Sequence, residues 1–282
     1  MSYRPELSDA GLNPSQAVTV MDEFGDLHEA HVAGERPLTI YVDKRELVTL
    51  MTLGGHPELL TLGYLRNQGL IRKIEDIVAI QVDWDIDAVA VVTRKQISDW
   101  DERLGRRTVT TGCGQGTMFG ELMDYLDDVH LPAVEIRQSD LYTLLKRLGE
   151  HNEIYRKAGA VHGCALCDGT EIVVFCEDVG RHNAVDAIAG HMWLEGIDGR
   201  DKIFYTTGRL TSEMVIKVAQ MEIPVLLSRS GVTQMGFDLA QRAGVTMLAR
   251  AKGRHFLVFN GHERVILDAR PKSRPSPRRA TR

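Results

Sequence analysis

A cysteine sits in the run Thr110-Thr-Gly-Cys-Gly-Gln-Gly-Thr117, with Gly112, Gly114 and Gly116 around it. As a thiolate, such a residue can accept a sulfane sulfur from a donor and hold it as a persulfide. The flanking glycines remove side chains that would block a donor protein, and they give the backbone access to positive φ. Cys113 is therefore the residue expected to carry covalent chemistry, although the same pattern alone also fits an incidental thiol. Arg106 and Arg107 are the nearest cations in sequence, and cations facing a thiol lower its pKa.

The other three cysteines lie close together, in Ala160-Val-His-Gly-Cys164-Ala-Leu-Cys167-Asp and at Cys176. A C-x-x-C pair beside His162 can be read as part of a zinc site, but a tetrahedral ion wants three or four ligands. Cys176 belongs to an apolar strand-like run. The zinc-deaminase signature is absent: His162 is followed by Gly-Cys, and Gly163 stands where proline would precede the first cysteine. Packed core thiols are the favoured state, and no metal is expected.

A second chemistry is written in three turns. Glu177-Asp-Val-Gly-Arg181-His182-Asn183 ends one strand and opens a helix. Gathering an acid, a guanidinium, an imidazole and an amide there is costly unless they bond one another or a ligand. They read either as a capping network around Gly180 or as the wall of a polar pocket. Thr206-Thr207-Gly208-Arg209 and Ser228-Arg229-Ser230-Gly231 leave the next two strands in the same manner. Small hydroxyls, glycine and arginine before a helix N-terminus suit an anion, phosphate above all. None of these turns matches a Walker loop or a G-x-G-x-x-G fingerprint. Arg250-Ala251-Lys252-Gly253-Arg254-His255 is either a solvated basic turn or a set of cations for a pyrophosphate or an acidic partner.

The elements that must position these residues fall into an ordered series. Residues 1–34 read as an irregular segment. Residues 35–110 read as a small α+β domain, with strands Leu38–Val42 and Glu46–Met51 turning at Asp43-Lys44, a helix between Pro57 and Gly69, and strands Ile77–Val82 and Ala88–Thr93. Residues 111–137 hold the cysteine loop and a connector. A helix capped by Ser139, with Leu141, Leu144, Leu145 and Leu148 on one face, opens an α/β cofactor-binding domain over 138–268. There, strands at 171–176, 202–205, 223–227 and 245–249 alternate with helices at 183–194, 212–221 and 235–243. Phe256–Phe259 and Arg264–Leu267 form an expected hairpin about Asn260-Gly261. Such alternation implies a sheet with parallel members, with ligands beyond their carboxyl ends.

Bulk properties exclude several classes. The net charge of −5 argues against wholesale nucleic-acid binding, and no apolar run approaches membrane-spanning length. The polar start, Met1 to Asn13, lacks a signal core, and four cysteines make no disulfide framework in a chain of 282 residues. A cytoplasmic, non-membrane protein is expected. The tail 269–282, rich in arginine, proline and serine and free of acids, reads as disordered and solvated, or as a weak electrostatic contact.

Taken together, these stretches resemble the formate dehydrogenase accessory sulfurtransferase FdhD family, from about Glu35 to Leu267. The resemblance is carried by Pro37-Leu-Thr-Ile-Tyr41, Leu62-Gly-Tyr-Leu65 with Gly69-Leu-Ile71, Ala160-Val-His162, Glu177 to Asp186, Thr207-Gly-Arg-Leu210 and Ser228-Arg-Ser230. It implies an α/β fold with a cytidine-deaminase-like mixed sheet core, helices on both faces, and no catalytic zinc, beside the smaller N-terminal α+β region. It also implies a homodimer that passes sulfur from a cysteine desulfurase to the molybdenum cofactor, before insertion into the formate dehydrogenase catalytic subunit. The substrate form would be Mo-bis(molybdopterin guanine dinucleotide), whose diphosphates suit the turns bearing Arg181, Arg209 and Arg229. The family's loop C-G-x-C-G places its first cysteine on Cys113, while Gly116 replaces the second. That excludes a resolving disulfide within the loop and leaves a non-catalytic cofactor chaperone as the alternative. The family's C-terminal cofactor-binding segment falls on Arg250 to His255, with Arg250 where an aromatic residue is usual.

Overall fold

The computed structural model describes residues 3–95 and 129–270, together with β8 (Thr108–Val109), β9 (Gly116–Thr117) and Leu126 between them. Among the described residues no helix is long and apolar enough to cross a membrane.

The N-terminal part is built on a five-stranded sheet in the order β1-β6-β7-β4-β5, from β1 (Glu6–Leu7), β4 (Arg36–Val42), β5 (Arg45–Thr52), β6 (Ile77–Asp83) and β7 (Ala88–Thr93). Period-2 alternation decides which face is covered: Leu38, Ile40 and Val42 are fully buried while their neighbours are not. Asp43 and Lys44 both take positive φ, 48° and 71°, as a tight hairpin turn requires. Helix α1 (Pro57–Asn67) starts on a proline and is turned out by Gly69 at φ 64°. The segment expected to be irregular is not so throughout. β1 pairs with β6, and β2 (Ser15–Met21) and β3 (Leu27–Ala33) form an antiparallel hairpin, whose short, polar-interrupted alternation hid it in the sequence.

The C-terminal part is a six-stranded mixed sheet, β12-β11-β13-β14-β15-β16. Its strands are β11 (His162–Asp168), β12 (Glu171–Asp178), β13 (Ile203–Thr206), β14 (Val225–Ser228), β15 (Thr246–Lys252) and β16 (His255–Asn260). β13, β14 and β15 are parallel neighbours; β11 and β16 run against them on either side, and β12, at the outer edge, runs against β11. Helix α2 (Gln138–His151) buries Leu141, Leu144 and Leu148 on one face, against Ala165, Tyr205, Leu227 and Leu248. Helices α4 (Arg181–Glu195), α5 (Ser212–Gln220) and α6 (Gln234–Ala243) cover the other face, where Cys164, Phe204, Leu226 and Met247 point. The expected mixed sheet with helices on both faces is present.

Three local expectations are corrected. Helix α2 begins at Gln138 with Arg137 as its N-cap; Ser139 lies inside the first turn, where its N–H and hydroxyl donate to Asp268 at 3.0 and 2.8 Å. The last hairpin does not form. β16 pairs with β15, and β17 (Val265–Ile266) pairs in parallel with β10 (Ile136–Arg137). A short helix α3 (Glu153–Ala158) and the whole of strand β11 stand where no element was expected.

The two sheets share a core. One apolar cluster runs from Leu38 and Ile80 through Leu65 and Ile188 to Leu226 and Met247. At its centre α1 and α4 meet backbone to backbone: a Cβ on Gly63 would lie 1.6 Å from the Asp186 carbonyl oxygen, and one on Gly190 would lie 2.0 Å from that of Leu59. Only glycine permits this approach.

Candidate functional site

At the carboxyl ends of β13 and β14 the chain makes two turns that are tied together by side-chain hydroxyls. Ser228 Oγ donates to the Gly208 carbonyl at 2.6 Å and accepts from Ser230 N at 2.9 Å. Thr206 Oγ1 accepts from Gly208 N at 3.0 Å. Thr207 is held to β11 by two bonds with Gly163, its N–H donating at 2.9 Å and its Oγ1 accepting at 3.1 Å. Gly208 has a specific job: a Cβ there would press on Arg181 Cδ at 2.7 Å, so its absence makes room for the Arg181 stem.

These turns edge a cavity of about 510 Å3, lined by Tyr155, Val161, His162, Thr207, Arg229 and Ser230, with Gly159, Ala160 and Val179 completing it. Ligand sites usually span about 300–1,000 Å3. Burial first, then the guanidinium groups of Arg181 and Arg209, hold His162 below its ordinary range, so the imidazole is neutral beside two cations. Its Nδ1 lies 3.4 Å from Thr207 Oγ1. The site therefore offers positive potential, hydroxyls and one ring nitrogen to an anion.

The run from Glu177 to Asp186 builds the frame. Both oxygens of Glu177 accept from the start of α3, from Ile154 N at 2.9 Å and Tyr155 N at 3.0 Å. The buried Asp178 accepts from Thr52 Oγ1, Leu53 N, Gly180 N and Asn183 Nδ2 at 2.6–3.1 Å, joining the end of β5 to the start of α4. Burial raises its carboxyl pKa more than these donors lower it. Asn183 also donates to the Met51 carbonyl at 2.6 Å. His182 is buried and its Nδ1 lies 3.3 Å from Glu213 Oε2. Burial first, then the Lys217 ammonium and the Arg181 guanidinium, push its pKa down, so it is neutral. Beneath it, Lys217 Nζ meets Asp186 at 2.8 and 2.9 Å, Glu213 at 3.6 Å, and Asn67 donates to Asp186 at 2.7 Å. Burial would lower the Lys217 pKa, but Asp186 and then Glu213 outweigh it and the net move is upward.

The sequence-expected residues thus divide. Thr207, Arg229 and Ser230 line the cavity, Arg181 and Arg209 act on its imidazole, and Gly208 and Ser228 hold the turns. Asn183 is spent on internal partners, and His182 is buried with its Nδ1 on Glu213. Arg250 touches the site through its backbone, N–H to the Ser230 carbonyl at 2.9 Å, with φ at 52°. Ala251 is buried against the α2 face, Lys252 pairs with His255 across the turn at Gly253, and the Arg254 guanidinium stacks 5.9 Å from the Tyr142 ring. Cys113 lies outside the described residues. Tyr155 was missed because the signal for α3 is weak. The Glu213–Lys217 pair had a legible one, two charges at i, i+4 in an otherwise apolar helix.

The buried thiols fit no metal site. Spacing of three on a strand sends Cys164 and Cys167 to opposite faces, into the two different cores. Cys164 and Cys176 are register partners on the same face. Burial pushes Cys164 and Cys167 up to about 12 and Cys176 up as well. Among the described residues no group of three or more His, Cys, Asp or Glu is placed to hold a metal.

Fold and site together define a class: an α/β protein with a preformed, cation-edged cavity at the carboxyl ends of its central parallel strands. The FdhD/NarQ family model matches residues 33–266, and the chain belongs to that family. It is 31% identical over 248 residues to the sulfur carrier protein FdhD of Listeria innocua, covering 84% of this chain and 92% of the relative. The namesake in Bacillus subtilis is 28% identical over 239 residues, with 84% and 91% covered. Among solved structures, a proposed formate dehydrogenase accessory protein from Desulfotalea psychrophila superposes with a TM-score of 0.70 at 28% identity, covering 89% of this chain and 98% of that one.

Proposed function

We propose that this chain is a sulfur carrier in formate dehydrogenase maturation. Cys113 accepts sulfane sulfur from a cysteine desulfurase, and the cavity holds a guanine nucleotide end of Mo-bis(molybdopterin guanine dinucleotide), the substrate that receives the sulfur. The observation that carries the reading is the cavity itself: Thr207, Arg229 and Ser230 at its edge, Arg181 and Arg209 beside it. That is the group set a diphosphate needs. The names borne by its relatives support the sulfur half.

In the accepting step the Cys113 thiolate attacks the outer sulfur of the desulfurase persulfide. A new S–S bond forms on Cys113, the old one breaks, and the desulfurase cysteine leaves as thiolate. In delivery the Cys113 sulfur is the leaving thiolate. The outer sulfur goes to the substrate molybdenum, whose electron pair reduces it to sulfide. No second thiol takes part: Gly116 occupies the family's second loop position, and the three described cysteines are buried with raised pKa values. The persulfide is discharged by transfer rather than by an internal disulfide.

We read the core as cytidine-deaminase-like, and the working form as a cytoplasmic homodimer that hands the cofactor to the dehydrogenase catalytic subunit. The test is mass spectrometry after incubation with a desulfurase and cysteine: the Cys113 peptide gains about 32 Da, one sulfur. Cys113→Ala loses dehydrogenase maturation in cells lacking the parent protein and keeps guanine nucleotide binding. The absence of a second loop cysteine favours one other reading, a chaperone that only presents the cofactor; a maturation-competent Cys113→Ala would establish it.

A further inference from the structure

The cavity lining comes from two sets of elements with different chemistry. The strand-end turns give Thr207, Arg229 and Ser230, all polar. Helix α3 and the segment after it give Tyr155, Gly159, Ala160 and Val161, joined by Val179, with no charged group among them, and His162 at the start of β11 completes the lining. A ligand filling the whole volume has a phosphate-like part and an uncharged, flat or apolar part.

We propose that Tyr155 is the specificity-determining residue of the uncharged side, where its ring stacks on the nucleobase of the bound nucleoside diphosphate. This rests on the nucleotide reading of the cavity. Tyr155 is 50% exposed, so folding leaves much of its ring available. Among the described residues no aromatic ring or guanidinium stacks on it. Yet its position is fixed. Its own N–H and that of Ile154 are held by the Glu177 carboxylate at 3.0 and 2.9 Å. Its carbonyl accepts from Gly159 N at 2.9 Å, where φ of 74° ends the helix and turns the chain back along the cavity. A ring with restrained backbone and an open face is a low-entropy platform for another π-system. Stacking on such a ring contributes affinity for any base, so Tyr155 sets nucleotide over inorganic diphosphate, while the arginine-bearing turns bind both.

Titration calorimetry of the full chain with GDP and with inorganic pyrophosphate tests this. Tyr155→Ala weakens GDP about 5- to 150-fold, the span of base–aromatic stacking, and leaves pyrophosphate within about twofold. Tyr155→Phe keeps GDP within about threefold of the parent, since the face rather than the hydroxyl does the binding. Equal weakening of both ligands by Tyr155→Ala, or no weakening of GDP, overturns the assignment of Tyr155 while leaving the cavity reading intact. A parent chain that binds neither ligand overturns both. Unfolding midpoints of the two variants matching the parent's confirm that folding is not the cause, as expected for a half-exposed side chain.

Discussion

His162 shows how a residue's neighbours set its use. Beside Cys164 it could be read as part of a zinc site or as a neighbour of packed thiols; the strand it opens puts it in the cavity lining beside Thr207, where burial and then the Arg181 and Arg209 guanidinium groups depress its pKa. Tyr155 is the other ring of that lining, Asp178 carries a carboxyl close behind as its strand partner, and Arg229 adds a further cation. In the free protein, burial keeps the imidazole neutral near pH 7. A bound phosphate dianion reverses the local field, so the pKa rises on binding and a proton is taken up. Affinity therefore increases as pH falls from above the bound-state pKa towards the depressed free-state one. Calorimetry of pyrophosphate binding in two buffers of different ionisation enthalpy reads the uptake directly. His162→Gln should take up less proton than the parent, and equal uptake would remove His162 from the ligand's shell.

Among elements, the contact between α4 and α5 is where charge is hidden deepest. Lys217 and Asp186 are 1% and 0% exposed, with Glu213, His182 and Asn67 closing the network. Taking both charges out of water is costly, so the pair is poor evidence for stability by itself; breaking it is another matter, because one charge is left uncompensated. Asp186→Asn should lower unfolding stability by about 3–5 kcal/mol, measured by urea denaturation. Replacing both partners with apolar residues of similar volume should cost less than that single change. His182, next to Arg181 at the start of α4, meets Glu213 of α5 at 3.3 Å, so the network ties the N-terminal end of α4 to α5.

For the whole molecule, the glycine contact between α1 and α4 and the clamp at Asp178 join sheets that the chain builds separately. Their common core implies one cooperative unit. Gly63→Ala forces two helix backbones apart, since its Cβ would fall 1.6 Å from a carbonyl oxygen. Overpacking costs at least about 1–3 kcal/mol. Circular dichroism and tryptophan fluorescence should report one coincident transition, shifted down in the variant. Two separated transitions in the parent would mean that the sheets fold independently. Trp84 reports from the N-terminal part and Trp193 from α4.

Most of the mixed sheet was legible because β12, β13, β14 and β15 are apolar runs alternating with helices, and the turns after β13 and β14 stood out because each joins hydroxyl, glycine and arginine. These are local patterns, and local patterns are what a sequence carries. Several features were settled only by tertiary structure. The two cysteines three apart on β11 face different cores. His182 and Asn183 turn inward to partners far along the chain. The C-terminal strand leaves β16 to pair with β10, and Tyr155 reaches the cavity because Glu177 holds α3 in place. Each of these depends on which groups meet across long sequence separations, and burial energy, not local propensity, decides that.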